Sequence, residues 1–235
     1  MQAKQVSHPR NILALDTSRP QLSLTLMRGD SILTSLVDDS GLPHSQRLFP
    51  LLENTLRDFH LSFSTIDLFA VNTGPGSFTG LRVGLAAIKG LAFTSRKAVL
   101  CITTLDALTY AVGRAGIPVG VILNASRGEV FIGIRKLLDD ASIQIIGQDQ
   151  VVSSAQAAPE FYAQVANGET TFIGDGAIAL WPEFAANPLW HLAVPPTSLA
   201  ETIADWASKQ LLPNFSTKIE AYYIRPSDAE IKRLV

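Results

Sequence analysis

The first third of the chain alternates between apolar runs and polar turns in a way that predicts a mixed α/β unit. Residues 12–15 form a continuous apolar run typical of a buried strand, whereas leucines at every second position of residues 22–26 predict a strand with one more polar face. A Gly29-Asp30 turn separates this strand from a third one at residues 31–37. Another apolar run, at residues 68–71, predicts a fourth strand.

Two helices are predicted, one before and one after that fourth strand. The first carries apolar residues at helical spacing, namely Leu48, Leu51, Leu52, Leu56 and Phe59. The second follows the glycine-rich residues 72–84, NTGPGSFTGLRVG, in which Gly74 and Gly76 permit a sharp turn and Ser77 or Thr79 can cap a helix that begins near Gly80. A glycine-rich loop between a strand and a helix is also typical of phosphate binding, so the loop alone leaves both roles open.

The second half of the chain repeats landmarks of the first. LDTSRPQLSLTL at residues 15–26 and LNASRGEVFIGI at residues 123–134 each join an apolar strand to an alternating strand through an Asx-x-Ser-Arg turn. Asn124 lies 108 positions after Asp16, and the later Gly-Asp-Gly at residues 174–176 corresponds to the Gly-Pro-Gly at residues 74–76. Two landmarks in the same order predict an internal repeat.

Two similar α/β lobes, each opening with an Asx-bearing strand-turn-strand, resemble the actin-like ATPase superfamily. This resemblance implies two actin-like (ribonuclease H-like) lobes with mixed sheets flanked by helices. We expect residues 1–100 to form the first lobe and residues 101–220 a second, smaller lobe. Residues 221–235 are expected to add a strand and a helix that pack back on one of the lobes.

Composition and charge narrow the class of protein. Charged residues make up 17% of the chain and apolar residues 47%, which predicts either unusually complete burial or an apolar face for a partner. A net charge of -2 argues against a protein that holds RNA by itself. The single cysteine, Cys101, excludes a disulfide framework and favours a reducing cytoplasm. The first apolar run is broken at Asp16, too early for a signal peptide or a membrane helix.

Five stretches of the sequence are similar to the bacterial TsaB family, and together they extend over nearly the whole chain. They are ILALDTS at residues 12–18, HSQRLFP at 44–50, GPGSFTGLRVG at 74–84, GDGA at 174–177 and YYIRPSDAE at 222–230. The chain departs from this family at Asn124, where the relatives usually carry aspartate. The departure puts in doubt any role for a carboxylate at the second turn.

The resemblance implies a non-catalytic accessory and dimerisation subunit without a cofactor. Such a subunit pairs with the TsaD transferase, together with the ATPase TsaE, to threonylcarbamoylate the adenosine beside the tRNA anticodon. It is expected to meet tRNA only through the complex and to form a homodimer when alone. Two alternatives are an actin-like ATP-binding enzyme and an M22-type glycoprotease homologue.

A metal site is not expected from the residues. TsaD-like sequences carry a His-x-x-x-His pair that falls here on Thr104 and Leu108, and leucine cannot bind a metal. The four histidines include no pair at helical spacing. A serine nucleophile is also not expected, because the pattern Gly-x-Ser-x-Gly is absent.

Two interpretations stay open for Asp16, Thr17 and Ser18. Superfamily members meet phosphate and magnesium at this turn, which indicates a vestigial nucleotide-binding site. Alternatively, Asp16 and Asn124 cap tight turns through Asx hydrogen bonds, and the sequence favours this role.

A docking surface is predicted on the two helices of the first lobe. A glycine inside a helix costs about 1 kcal/mol relative to alanine, and a face of small residues lets another helix approach closely. This reasoning, with the dimerisation role that the resemblance implies, predicts a partner interface of Leu48, Leu51, Leu52, Thr55, Leu81, Gly84, Leu85 and Ile88. Arg135, in the second lobe, is expected to lie away from it.

Overall fold

The computed structural model describes residues 10–165, 168–210 and 218–224. Within them the strands are β1 (Asn11–Asp16), β2 (Leu22–Arg28), β3 (Ser31–Asp38), β4 (Leu68–Asn72), β5 (Ala98–Ile102), β6 (Pro118–Ser126), β7 (Glu129–Leu137), β8 (Ile143–Ser153), β9 (Thr170–Ile173) and β10 (Trp190–Leu192). The helices are α1 (His44–Asp58), α2 (Phe78–Ser95), α3 (Thr104–Val112), α4 (Ser154–Val165), α5 (Asp175–Phe184) and α6 (Leu199–Lys209).

The strands form two five-stranded mixed sheets with the same topology. The orders are β3-β2-β1-β4-β5 and β8-β7-β6-β9-β10, so each half of the chain builds its sheet in the same way. In both sheets the first three strands of the half pair antiparallel and the last two add in parallel. Helices follow the third, fourth and fifth strands in each half. The predicted α/β class and internal repeat are therefore confirmed.

The two halves exchange their last helices. The helix α3, which follows the first sheet in the chain, packs against β6 and β7 of the second sheet, whereas α6 packs against β1, β2 and β4 of the first. The exchanged helices share one apolar core with the inner faces of both sheets, to which Ile12, Leu105, Val121 and Ile203 contribute. The division of the chain into two lobes near residue 100 stays a prediction. The helix α6, which that division assigns to the second lobe, covers the first sheet.

Each sheet has a second core on its outer face. The first sheet packs there against α1 and α2 through a cluster rich in leucine. The second packs against α4 and α5 through an aromatic cluster in which Phe161, Phe172, Phe184 and Trp190 contact one another. Both faces of each sheet are therefore covered, as strands this apolar require.

The C-terminal strand and helix were expected within residues 221–235. Residues 218–224 carry neither a helix nor a strand, and residues 225–235 lie outside the described residues. The Tyr222 amide donates to the Thr73 carbonyl at 2.8 Å, so this stretch returns to the first sheet. None of the helices in the described ranges combines the length and apolar composition needed to cross a membrane.

Candidate functional site

A cleft of about 980 Å³ separates the two sheets. It lies at the carboxyl ends of parallel strands, where ligand sites of α/β sheets are commonly found. Its walls include Ser18 after β1, Pro75 after β4, Thr104 after β5, Asn124 near the end of β6 and Gly174 after β9. The repeated landmarks of the sequence thus meet across one cleft.

The turns after β1 and near the end of β6 are Asx turns. The Ser18 amide donates to Oδ1 of Asp16 at 2.9 Å, and the Ser126 amide donates to Oδ1 of Asn124 at 2.7 Å. The prediction that Asp16 and Asn124 cap tight turns is therefore confirmed. Both side chains can do this because carboxylate and amide oxygens are equally able to accept from an amide two residues on.

The side chain of Asn72, for which no role was predicted, connects the first turn to the glycine loop. Its Nδ2 donates to Asp16 Oδ1 at 2.8 Å and to Ser18 Oγ at 2.9 Å. Its Oδ1 accepts from the Gly74 amide at 2.8 Å and lies 3.0 Å from the Thr104 hydroxyl. A polar residue that ends an apolar strand was the one available sign of this role.

Three glycines of the loop and of α2 pack directly on that turn. A Cβ atom at Gly76 would lie 2.4 Å from the Ser18 carbonyl oxygen, and one at Gly80 would lie 2.1 Å from the Thr17 carbonyl oxygen. At Gly84 it would lie 2.2 Å from Thr17 Oγ1. These distances are far below normal contact, so the glycines serve a close approach within the chain.

The loop uses its hydrogen-bonding groups on the chain itself. The Ser77 amide donates to the Ser18 carbonyl at 2.7 Å, and Ser77 Oγ accepts from the Gly80 amide at 3.2 Å. The predicted cap of α2 by Ser77 is confirmed, and the helix begins at Phe78. The amides of Gly74 and Ser77 thus already donate hydrogen bonds within the chain.

Asp16, Thr17 and Ser18, the predicted vestigial nucleotide-binding residues, lie together but are buried. Asp16 and Thr17 have no exposed surface, and Ser18 alone of the three lines the cleft. The second oxygen of the Asp16 carboxylate, Oδ2, lies 3.4 Å from Nε of Arg19. The geometry therefore favours a role in shaping the turn over one in holding phosphate.

The positions that correspond to metal ligands in TsaD-like sequences also have other roles. The Thr104 hydroxyl lies 2.7 Å from the Pro75 carbonyl oxygen, and Leu108 packs in the central core. Within the described residues, no three His, Cys, Asp or Glu side chains converge as metal ligands would.

Most of the residues predicted for the partner interface face inward. Leu48, Leu52, Thr55, Leu81, Gly84, Leu85 and Ile88 are buried in the chain, and only Leu51 is half-buried. The steric reason given for Gly84 is wrong, because Gly84 makes room for Thr17 of the same chain. Helical spacing identifies an apolar face, but α1 and α2 use that face to cover the first sheet.

The outward side of these helices carries a different set of residues. Phe49 on α1 is 45% exposed and Phe93 on α2 is 84% exposed. Ala86, Gly90 and Phe93 follow at spacings of four and three residues and form what we call the outer stripe of α2. Apart from the backbone of α2 itself, no atom of the described residues lies within 4 Å of the position that a Cβ would take at Gly90.

A buried charge cluster lies in the second half of the chain. Arg135, 1% exposed, donates from Nε to Asp106 at 2.6 Å and through both terminal nitrogens to Asp149 at 2.6 and 2.7 Å. Burial alone would raise the pKa of Asp149, but hydrogen bonds from Arg135 and Tyr222 outweigh it and lower that pKa. Arg135 was expected only to lie away from the interface, and its burial was not foreseen.

Comparison with known proteins relates this architecture to a family. A family model described as "TsaD: tRNA N6-adenosine threonylcarbamoyltransferase" matches residues 40–180, more than half of the chain. The tRNA threonylcarbamoyladenosine biosynthesis protein TsaB of Bacillus subtilis is 29% identical over 60% of this chain and 62% of its own length. The Escherichia coli protein of the same name is 28% identical over 73% of this chain and 74% of its own.

A solved structure supports the same assignment at the level of the fold. YeaZ from Pseudomonas aeruginosa superposes with a TM-score of 0.72 at 23% identity, over 91% of this chain and 99% of that one. The alignment with the Bacillus subtilis relative covers less than two-thirds of that protein. The chain is thus similar in sequence to TsaB proteins and shares the fold of YeaZ. Because the family model matches more than half of the chain, the chain belongs to the family that the TsaD model describes.

Proposed function

We propose that this protein is a non-catalytic accessory subunit in the synthesis of threonylcarbamoyladenosine in tRNA. In this proposal it pairs with a TsaD-like catalytic subunit in the cytoplasm, is joined by a TsaE-like ATPase, and meets tRNA only through the complex. The outer stripe of α2, together with Phe49 of α1, forms the docking surface. The observation that carries the docking proposal is the exposed glycine and phenylalanine on α2.

Gly90 supports this surface because, among the described residues, nothing outside α2 packs against it. A glycine in the middle of an exposed helix costs about 1 kcal/mol relative to alanine. Gly76, Gly80 and Gly84 each pack closely on residues of this chain, whereas Gly90 faces open space. A helix of a partner can approach at Gly90 more closely than at any larger residue.

Phe93 supports the same surface through its exposure. A phenylalanine that is 84% exposed leaves a large apolar area in water, which burial at an interface would remove. Aromatic residues are enriched at the centres of protein interfaces. When no partner is present, the same surface pairs two copies of the chain as a homodimer.

The proposed non-catalytic role rests on how the cleft uses its polar groups. Oδ1 of the Asp16 carboxylate accepts hydrogen bonds from the Ser18 amide and from Asn72 Nδ2 inside the chain. The Thr104 hydroxyl lies within hydrogen-bond distance of Pro75 and Asn72. Asp16 Oδ1 and the Thr104 hydroxyl therefore hold the loops together here.

Reconstitution of tRNA modification tests the role. A mixture of a TsaD-like subunit, a TsaE-like ATPase, a source of threonylcarbamoyl-adenylate and tRNA should form modified adenosine only when this protein is added. The protein alone should form no modified adenosine and should hydrolyse ATP at the background rate. Equal yields with and without the protein would refute the accessory role, and substantial ATP hydrolysis by the protein alone would favour an ATP-binding enzyme.

Replacing Phe93 with aspartate is expected to weaken association with a TsaD-like subunit at least tenfold, because the interface would bury an unpaired charge. The monomer should stay folded, since exposed positions usually change stability by less than about 0.5 kcal/mol. Gel filtration and calorimetric titration with the partner measure the effect.

Ile178 offers a matched control for this prediction. It is 49% exposed on α5, in the second half of the chain. Ile178→Asp should leave association unchanged. Normal binding by Phe93→Asp would place the docking surface elsewhere, and equal losses in both variants would point to a general loss of solubility.

A further inference from the structure

Residues 218–224 run along the first sheet and into the wall of the cleft. The segment passes β5, where Cys101 Sγ lies 3.6 Å from the Lys218 carbonyl oxygen. Ile219 and Ala221 pack against the outer core of the first sheet, and Ile224 packs against the central core. Tyr222, Tyr223 and Ile224 then form part of the wall of the cleft.

We propose that residues 218–224 form an intrachain strap that holds the two lobes together and sets how far the cleft opens. Tyr222 is its central residue. The Tyr222 amide donates to the Thr73 carbonyl, just beyond β4 of the first sheet, at 2.8 Å. The Tyr222 hydroxyl donates to Asp149 Oδ2, on β8 of the second sheet, at 2.7 Å.

The attachment points of Tyr222 are well fixed on both sides of the cleft. Asp149 is held by two hydrogen bonds from the buried Arg135, which is bound in turn to Asp106 of α3. On the other side, a Cβ at Gly74 would lie 3.3 Å from the Tyr222 carbonyl oxygen, so the strap lies directly on the glycine loop. A displacement of one lobe from the other must therefore break or stretch a contact of Tyr222.

The hydroxyl of Tyr222 stays a hydrogen-bond donor at neutral pH. Burial, and then the hydrogen bond to Asp149, raise the pKa of Tyr222 to about 12. A protonated phenol beside a carboxylate gives a short, charge-assisted hydrogen bond. Tyr222 is nevertheless 37% exposed, so it can leave this position without disrupting a core.

The strap is also joined to α2. The Tyr223 ring packs on Phe78 at the start of this helix, with ring centroids 5.5 Å apart. Arg82, one turn further along, lies over the Phe78 ring and approaches the Tyr223 hydroxyl at 3.4 Å. A partner that docks on α2 would thus act close to the strap; this link rests on the proposed function, whereas the strap itself does not.

The distance between the lobes tests the proposal in the isolated chain. Asp39 follows β3 at the cleft end of the first sheet, and Ile178 lies one turn into α5, whose first residues line the cleft. Spin labels on cysteines introduced at these two exposed positions report the separation by pulsed electron resonance. Cys101 should not compete for the label, because burial raises the pKa of its thiol to about 11.

Tyr222→Phe is expected to shift the distance distribution to longer values and to broaden it. The substitution removes only the hydroxyl, and Asp149 keeps its bonds to Arg135, so no charge is left unpaired. A chain that ends at residue 217 should show the same shift to a larger extent. Unchanged distance distributions in both variants would overturn the proposal that this segment holds the lobes together.

Tyr223→Phe is the matched control. It removes a hydroxyl that contacts Arg82 of α2, on the same side of the cleft as the first sheet. Its distance distribution should equal that of the unmodified chain. A shift as large as that of Tyr222→Phe would show that the bridge to Asp149 is not what holds the lobes, and would also overturn the proposal.

Discussion

Replacing Gly80 with alanine is expected to lower the free energy of unfolding by about 2–3 kcal/mol, in the upper part of the range that overpacking of a well-packed site costs. The added Cβ would lie 2.1 Å from the Thr17 carbonyl oxygen. Backbone cannot rotate away as a long side chain can, so either α2 or the turn after β1 must move. The better helix propensity of alanine, worth about 1 kcal/mol, offsets only part of this cost.

Replacing Gly90 with alanine should raise the free energy of unfolding instead. Alanine there meets no atom within 4 Å, and the expected gain is about 0.5–1 kcal/mol. Urea denaturation of the two variants at one pH, with the unmodified chain as reference, gives both values. Equal effects at the two positions would contradict the close packing of α2 on Thr17.

Substitutions at Gly84, like Gly80→Ala, are expected to destabilise the protein. A Cβ at Gly84 would lie 2.2 Å from Thr17 Oγ1, and Thr17 is completely buried. Large residues at Gly84 should therefore destabilise the lobe itself. A loss of partner binding in such a variant would say nothing about the interface, whereas Gly90 and Phe93 lie where the fold tolerates change.

Arg135→Leu is expected to destabilise the protein by about 3–5 kcal/mol, as observed when one partner of a buried ion pair is removed. The guanidinium is 1% exposed and serves two carboxylates, Asp106 and Asp149. Leucine would fill part of the space but leave these carboxylates without their main donor. Thermal and chemical denaturation at neutral pH measure the loss.

Two further variants make this prediction specific. Arg114 forms an ion pair with Glu169 at 2.8 Å, but its side chain is 70% exposed, so Arg114→Leu should cost less than about 1 kcal/mol. Adding Asp149→Asn to Arg135→Leu should recover part of the stability, because one uncompensated charge is removed. A loss at Arg135 no greater than at Arg114 would mean that the buried cluster contributes little.

Local features were well predicted from the sequence because their causes are local. Asx turns at Asp16 and Asn124 depend on a side chain and an amide two residues away, and the Ser77 cap depends on an amide three residues away. The repeat was visible because each half needs the same turn at the same place. Its two recurring landmarks extended to all ten strands described.

Long-range features could not be predicted in the same way. Apolar spacing on α1 and α2 indicated a buried face, but the sequence does not say whether a sheet or a partner covers it. Asn72 and Arg135 act through residues at distant positions of the chain, such as Asp16 and Asp149. Each reads in the sequence as one polar residue at the edge of an apolar run.

The exchange of α3 and α6 has a consequence for the order in which the chain matures on the ribosome. The first sheet is complete once β5 has been synthesised, at Ile102, but its inner face stays uncovered until α6 has emerged, about a hundred residues later. The uncovered inner face includes Ile12, Ala14 and Leu68. The first half therefore depends on α6 to finish folding, and the nascent chain carries an apolar surface while about a hundred residues are added.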